Sequence, residues 1–352
     1  MPSLAPIAPA LLPWFYKNAR ALPFRADPTP YHIWVSEIML QQTRVAAALE
    51  HYRRFMQALP TVADLAACGE EQLFKLWEGL GYYSRARNLQ KAARIVCETW
   101  GGRLPADYEA LLQLPGVGEY TAGAIGSIAF GLPVPAVDGN VLRVFSRLYN
   151  DPGNIMDPAV KKAFTARVME HQPPAAPGDY NQALMELGAL VCLPGGAPQC
   201  CACPLAHLCR ARAAGTQLEL PVKTRPKARR VQPITVLLVR GPGGWLLQKR
   251  PDTGLLAGLW QPVLFEGALT RAQAAAALAD LGVRASLGGA LPPAKHVFSH
   301  IEWHMAGWYA TAAAGTAPAG CAFAGPEQLR AGYALPGAFK VYKALMTGGP
   351  QG

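Results

Sequence analysis

The sequence predicts two domains of different class, an all-helical amino-terminal part and a smaller mixed α/β carboxy-terminal part: a multidomain α plus α+β chain. Three observations carry this. The chain has 352 residues, more than a single hydrophobic core usually serves. Its apolar residues recur at helical spacing up to about residue 191 and at strand spacing beyond about 233. Between the two, LELPVKTRPKARRVQP (218–233) holds three prolines, five basic residues and one acid, the composition of an exposed linker. The expected boundaries are 1–215 for the helical domain, 216–232 for the linker and 233–352 for the second domain.

Each element follows from local pattern. YHIWVSEIMLQQTRVAAALEHYRRFMQ sets Trp34, Ile38, Val45, Leu49 and Tyr52 on one stripe, which predicts a single long helix. EEQLFKLWEGLGYYSRARNLQKAARIVCETW predicts two helices broken at Gly79-Leu80-Gly81. Further helices are expected at about 107–113, 119–130, 139–149, 158–170 and 179–191, each bounded by Pro, Gly or Asp. Past the linker, ITVLLVRGPGGWLLQKR reads as two strands about a Gly-Pro-Gly-Gly turn. A helix in TRAQAAAALADLG, strands within 285–311 and a last helix near 337–346 complete the pattern. There is no internal repeat.

Composition narrows the function classes. Hydrophobic residues make up 51% of the chain and the mean hydropathy is +0.10, which excludes wholesale disorder. The formal charge of +10 and pI near 9.3 suit a polyanionic partner, and equally a solvated basic surface. No apolar run reaches the roughly 18 to 20 residues that span a bilayer. MPSLAPIAPALLPWFYKNAR lacks a basic leading region and an Ala-x-Ala site, so it does not read as a signal peptide. A cytoplasmic protein is expected, and the Ala, Gly and Pro excess suits a GC-rich bacterial genome. Of the eight cysteines, five fall within the 18 residues 192–209. In a chain without a secretion signal, that crowding points to a metal site before a disulfide framework.

LPGVGEYTAG, Leu114 to Gly123, reads as a tight turn between two helices spanning about 111–130. Gly116 and Gly118 flank Val117 and let backbone N–H groups approach an anion at the start of the next helix. Such a turn grips a DNA phosphate without reading a base. Pro-Gly-x-Gly alone fits any turn between helices. With Leu114-Pro115 before it and Thr121-Ala122 after it, the segment resembles the helix-hairpin-helix superfamily of DNA glycosylases. That resemblance implies an aspartate opening a helix beyond the hairpin, which VPAVDGNVLRV supplies as Asp138, with Asn140 beside it. Taken alone, Asp138 is an ordinary helix N-cap. In the endonuclease III-like branch, a lysine attacks the sugar and forms a Schiff base. Here that position is Tyr120, whose phenol cannot form an imine. The implied reaction therefore ends with water and cuts the strand little.

WVSEIMLQQTRV, Trp34 to Val45, resembles the MutY-type adenine glycosylases, in which Glu37 occurs together with Gln41-Gln42-Thr43. Trp34, Ile38, Met39 and Leu40 would desolvate Glu37 and raise its pKa, which suits a general acid. The same residues also fit an exposed glutamate on a helix edge. The resemblance implies that Glu37 protonates the purine at N7. It implies that Asp138 steadies, and briefly bonds to, the cationic sugar, that Asn140 orients it and that Tyr120 packs around it. The base must first leave the stack. GLGYYSRARNL resembles the wedge segment, with Tyr82 intercalating, while Leu40, Gln42 and Thr43 contact DNA. Gln182, in YNQALMELGALVC, matches a reader of the flipped base. ALPFRADPTPYHIWV matches the pocket entrance, with Arg25; Phe24 stands where the family usually has Trp, implying weaker stacking.

Four cysteines space as Cys192-x7-Cys200-x2-Cys203-x5-Cys209, leaving Cys201 over. Thiolates suit zinc or iron–sulfur, and a zinc site more often shows two close pairs. The resemblance implies a 4Fe-4S cluster on the 192–209 loop, with one residue inserted in CLPGGAPQC relative to the family's x6-x2-x5. The cluster would hold a DNA-contacting loop carrying Arg210 and Arg212. KRPDTGLLAGLWQPV and KHVFSHIEWHMAGWYA resemble the Nudix-related domain of the same glycosylases. By that likeness Phe298, Ser299 and His300 inspect the oxidised guanine, although Ser299 is also an unremarkable residue for a hairpin. A working Nudix box needs Arg-Glu-x-x-Glu-Glu for magnesium; TRAQAAAALADLG lacks those glutamates, so no nucleotide hydrolysis is expected.

The resemblance implies a monomeric, monofunctional adenine glycosylase acting on double-stranded DNA with A:8-oxoguanine or A:G mispairs, in the bacterial cytoplasm on the nucleoid. The rival readings are an endonuclease III-like pyrimidine-lesion glycosylase and lyase, and a non-catalytic DNA-binding protein.

Overall fold

A computed structural model describes residues 4–196, 198–224, 228–313 and 316–348. Ala197 of the cysteine loop and linker residues 225–227 lie outside them. The chain separates into two compact units, Met1–Ala67 with Asn88–Arg225, and Cys68–Arg87 with Pro226–Gly352. The division is not sequential. Residues 68–87, assigned by pattern to the helical domain, pack with the carboxy-terminal unit.

The first unit is helical. It contains α1 (Ala8–Asn18), α2 (Pro23–Ala26), α3 (Pro30–Leu40), α4 (Val45–Ala58) and α5 (Val62–Ala67). The second unit contributes α6 (Glu70–Trp77), and α7 (Ser84–Trp100) starts there and ends in the first. The first unit continues with α8 (Tyr108–Leu112), α9 (Glu119–Phe130), α10 (Gly139–Tyr149), α11 (Pro158–Glu170), α12 (Pro177–Leu190) and α13 (Arg210–Ala214). Its central member is α10, buried at every residue from Val141 to Tyr149. Phe145, Phe164, Tyr180 and Leu184 form the apolar centre around it. No helix among the described residues is long and apolar enough to cross a membrane.

The single long helix expected from Trp34 to Tyr52 is two. Gln41 leaves the helical region at ψ 114° and Gln42 takes φ 58°, ending α3 before α4 begins at Val45. The stripe misled because spacing reports which side is buried, and a turn that keeps that side facing the core preserves it. No Gly or Pro marks the break.

The second unit holds a seven-stranded mixed sheet. Its strands are β1 (Arg230–Gly241), β2 (Gly244–Lys249), β3 (Trp260–Glu266), β4 (Ala285–Ala290), β5 (Ala294–Val297), β6 (Ile301–Ala312) and β7 (Cys321–Ala324). The order is β4-β6-β1-β3-β2-β7, with β5 also on β6; β1 and β6 run parallel and the other pairs antiparallel. Alternation along β1 sends Ile234, Val236 and Leu238 to one face and Leu237 and Val239 to the other. The first face is covered by α15 (Pro326–Ala331) and α16 (Lys340–Met346), the second by α14 (Arg271–Asp280). The end of the expected linker is strand: Arg230 to Gln232 already pair with Ile301 to Trp303. Its charged composition concealed a segment whose ladder partner lies some 70 residues away.

Candidate active site

Glu37 sits in the last turns of α3 with 7% exposure, among the fully or nearly buried Trp34, Ile38 and Met39. It is therefore not a glutamate on an exposed helix edge. Burial pushes its pKa up to about 7; the Tyr120 hydrogen bond and Arg25 oppose the rise, and the Asp138 charge adds to it. Tyr120, in the first turn of α9, donates its hydroxyl to Glu37 Oε2 at 2.6 Å and also lies 3.2 Å from Met185 Sδ. Burial and the two carboxylates hold this phenol well above its usual pKa, so it stays a donor.

Asp138 caps α10. Its Oδ1 accepts from the amides of Asn140 and Val141, each at 2.8 Å, and its Oδ2 from Asn140 Nδ2 at 2.6 Å. Burial raises its pKa, while those three donors and the charge of Arg143 pull it back. Asp138 is thus the N-cap of α10 with a carboxyl close enough for its charge to act on Glu37. Arg143, one turn on, donates to Asn140 Oδ1 at 2.8 Å, Gly188 O at 2.7 Å and Cys192 O at 2.7 Å. Gly188 is obligatory at this crossing of α10 and α12, since a Cβ there would lie 2.5 Å from Asn140 Cβ.

Gln182 and Glu186 occupy one face of α12. Arg25 donates to Gln182 Oε1 at 3.0 Å and to Glu186 Oε2 at 2.9 Å, and Arg20 grips Glu186 through Nε at 2.7 Å and Nη2 at 2.8 Å. Burial alone would raise the Glu186 pKa, but the two guanidiniums hold it down at about 2. Phe24 is buried with its ring edge-on to Tyr52 at 5.5 Å. Leu40 precedes the turn in which Thr43 N donates to Leu40 O at 3.2 Å, and Gln42 is exposed there. Gln41 ties this turn to α9 through Thr121 Oγ1 at 3.2 Å.

The hairpin forms between α8 and α9. Gly116 has φ 79°, and a side chain there would press to 2.9 Å from Asn88 Cβ. Val117 is buried and its amide is spent on Leu114 O, whereas Gly116 and the N-cap Gly118 are exposed beside the positive end of α9. In the second unit Tyr82, half-exposed at φ 47°, places its hydroxyl 3.2 Å from Ser299 Oγ. Phe298 packs between His296 and Trp303 with ring centroids at 4.6 and 4.9 Å, and Ser299 and His300 are exposed.

Cys192, Cys200, Cys203 and Cys209 line one cavity with the apolar walls of Val144, Leu148, Leu187, Val191 and Leu205; Cys201 is exposed. Among the described residues no three His, Cys, Asp or Glu side chains are arranged to hold a single metal ion. Burial, and then the neighbouring thiols, push Cys203 up to about 11 and raise Cys209 as well. The four thiols around one cavity are donors of the kind an iron–sulfur cluster takes. Arg147 Nη1 already donates to Cys192 Sγ at 3.2 Å.

Two family models match successive stretches of the chain. Residues 35–169 match the HhH-GPD superfamily of base excision DNA repair proteins and residues 235–344 match the NUDIX domain. The adenine DNA glycosylase of Schizosaccharomyces pombe is 31% identical over 314 residues, 71% of this chain and 67% of that protein. The chain belongs to the adenine DNA glycosylase family. The human adenine DNA glycosylase is 39% identical over 306 residues, which take in 72% of this chain and 56% of the human protein. This family member thus spans little more than half the length of that curated relative. A thermostable thymine-DNA glycosylase of known structure is 29% identical, with a TM-score of 0.53, over 59% of this chain and 95% of that one.

Within the first unit, then, Glu37, Tyr120, Asp138 and Asn140 come together, as do Arg25 and Gln182; Tyr82 and Ser299 meet in the second. Sequence reasoning passed over Glu186, Arg20 and Arg143. For Glu186 a signal existed: it lies four residues from Gln182, on the same helical face. Arg143, three residues from Asn140, offered a weaker one.

Proposed function

We propose that the chain is a monofunctional DNA glycosylase of base excision repair that removes adenine opposite 8-oxoguanine or guanine. The observation that supports this most is the pairing of Glu37 with a phenol. A carboxyl whose pKa is near 7 holds a proton it can give away at neutral pH, and Tyr120 offers no amine for imine chemistry. Glu37 delivers its proton to N7 of the flipped adenine. The C1′–N9 bond then breaks, its electron pair leaves with the now neutral base, and positive charge develops on the sugar. Asp138, held by three donors, steadies that charge until water adds at C1′ and releases a proton. One neutral acid and one anion divide the work as in glycosidases.

Arg25 and Gln182, fixed by Glu186, supply polar contacts for the base edge, the hairpin turn with Gly116, Val117 and Gly118 takes a backbone phosphate, and Phe298, Ser299 and His300 face the opposite base. Cys192, Cys200, Cys203 and Cys209 would hold a 4Fe-4S cluster, which supplies the positive core that keeps four thiolates together. Arg147 and Arg143 hold the Cys192 end of that loop against α10. Iron and sulfide analysis of anaerobically purified protein should find about four of each per chain for such a cluster; one zinc and no sulfide would refute that part.

Single-turnover release of adenine from duplexes with 8-oxoguanine, guanine or cytosine opposite tests the main reading. Release should be fastest opposite 8-oxoguanine and slowest opposite cytosine, with no borohydride-trapped protein–DNA adduct. Absence of adenine release, or strong trapping, would overturn it.

A further inference from the structure

The segment that carries Tyr82 is bolted to the carboxy-terminal unit at one carboxylate. Glu78, just past the end of α6, accepts through Oε1 from the Leu335 amide at 3.0 Å and from Lys343 Nζ of α16, and through Oε2 from Lys75 Nζ at 2.8 Å. Lys75 in turn donates to the carbonyls of Leu329 and Tyr333 at 3.3 and 3.2 Å. Farther along, Arg87 donates to Ala257 O at 2.6 Å and lies over the Phe74 ring at 4.7 Å. Both ends of residues 75–87 are therefore fixed to the same unit.

Between those anchors the loop is braced by its own hydrogen bonds. Trp77 Nε1 donates to Gly81 O at 3.1 Å, and Arg85 Nη2 donates to the carbonyls of Leu80 and Gly81 at 3.1 and 3.2 Å. These bonds hold Tyr82 at φ 47°, a conformation that a non-glycine residue keeps only when its surroundings enforce it. Starting from Ser299, a second path returns to the same anchor. Phe298 packs on Trp303 at 4.9 Å, Trp303 on Phe339 at 6.1 Å, and Phe339 leads directly into α16 with Lys343. Tyr82 and Ser299 close the ring at 3.2 Å.

We infer that Glu78 is a positioning residue for opposite-base discrimination, holding the Tyr82 wedge and the Phe298–His300 loop at a fixed separation. The inference rests on the proposed function. An 8-oxoguanine differs from guanine by one added oxygen at C8 and one hydrogen moved to N7, so a reader that drifts relative to the wedge loses the distinction before it loses DNA binding. Glu78 touches neither base nor sugar in this account; it acts through Tyr82 and Ser299.

The test is single-turnover adenine release opposite 8-oxoguanine and opposite guanine for wild type, Glu78→Ala, Glu78→Gln and Lys343→Met, each checked for a cooperative melt. Glu78→Ala and Lys343→Met should lower the ratio of the two rates by about fivefold to tenfold. Most of that loss should fall on the 8-oxoguanine duplex, and Glu78→Gln should recover part of it. In a Ser299→Ala background, Glu78→Ala should lower the ratio no further, because the path is already cut. An unchanged ratio in folded variants, equal slowing on both duplexes, or additive effects with Ser299→Ala would each overturn the inference. Should Glu78→Ala not fold, Lys343→Met carries the same reading. Hydrogen exchange needs no turnover: residues 79–84 and 298–300 should lose protection together in the variants, and loosening of one segment alone would refute the coupling. A wild type that releases no adenine would instead refute the proposed function.

Discussion

Two glutamates buried in the helical unit lie at opposite ends of the carboxylate range. Glu37 is 7% exposed and is held at about 7; Glu186 is 1% exposed and is held at about 2. Burial penalises the charge of both. Glu186 is met by two guanidiniums and a backbone amide at 2.7 to 3.0 Å, whereas Glu37 is met by one neutral phenol and repelled by Asp138. Burial raises both, and the guanidiniums around Glu186 reverse that rise where the phenol beside Glu37 does not. One carboxyl holds its proton to higher pH than usual, and the other gives it up at lower pH and binds Arg25, which in turn bonds Gln182.

The sharpest way to break this contrast is Glu37→Gln, which removes the proton and keeps the shape. Adenine release should fall about 10³-fold with duplex affinity retained, within the range general-acid catalysis supplies; a rate within tenfold of wild type would end the acid assignment. The same variant should be more stable above pH 7. The folded pKa of Glu37 lies above its ordinary value, so the native state binds the extra proton and stability falls as pH rises from about 4.5 to about 7. Removing the group removes that loss, on the order of 3 kcal/mol in thermal melts at pH 8.

Glu186→Gln should act in the opposite sense. It strands Arg20 and Arg25 against a neutral amide, costing about 2–3 kcal/mol at pH 7. Because the folded pKa of Glu186 is depressed, its contribution is present above about pH 4.5 and disappears as pH falls toward 2. Variant and wild type should therefore converge in stability in acid, and a constant gap across that window would refute the ion-pair account. Next in size is the pH profile of the wild type. Single-turnover release should be level below about pH 7 and fall about tenfold per unit above it as Glu37 ionises. The smallest effect belongs to Tyr120→Phe, which removes the donor that lowers the Glu37 pKa. Its inflection should move to higher pH, with a rate loss of only about threefold to tenfold at pH 7 from one hydrogen bond; a downward shift would contradict the bond's role.

Much of this was legible in one dimension. Helices α9, α10 and α11 fall where their Pro, Gly and Asp boundaries place them, because capping chemistry is local. Asp138 could be read as a helix cap because the amides it holds lie two and three residues away. What stayed hidden was non-local. The break at Gln41–Arg44 carries no Gly or Pro, Glu186 owes its charge to arginines about 160 residues earlier, and residues 68–87 owe their place to Lys343 and Leu335.

The residue string alone settled which chemical groups exist and where the helical and the extended periods run. A carboxyl at 37, a phenol rather than an amine at 120, four spaced thiols and two hydrophobic periods needed no coordinates, since propensity, capping and reactivity belong to individual residues and near neighbours. Only the folded chain decided how far the Glu37 pKa is raised, that the Glu186 pKa is lowered and that Tyr82 belongs to the unit that bears Ser299. Those properties are sums of desolvation and charge over groups brought together from distant positions, and electrostatic energy depends on separation in space, not along the backbone.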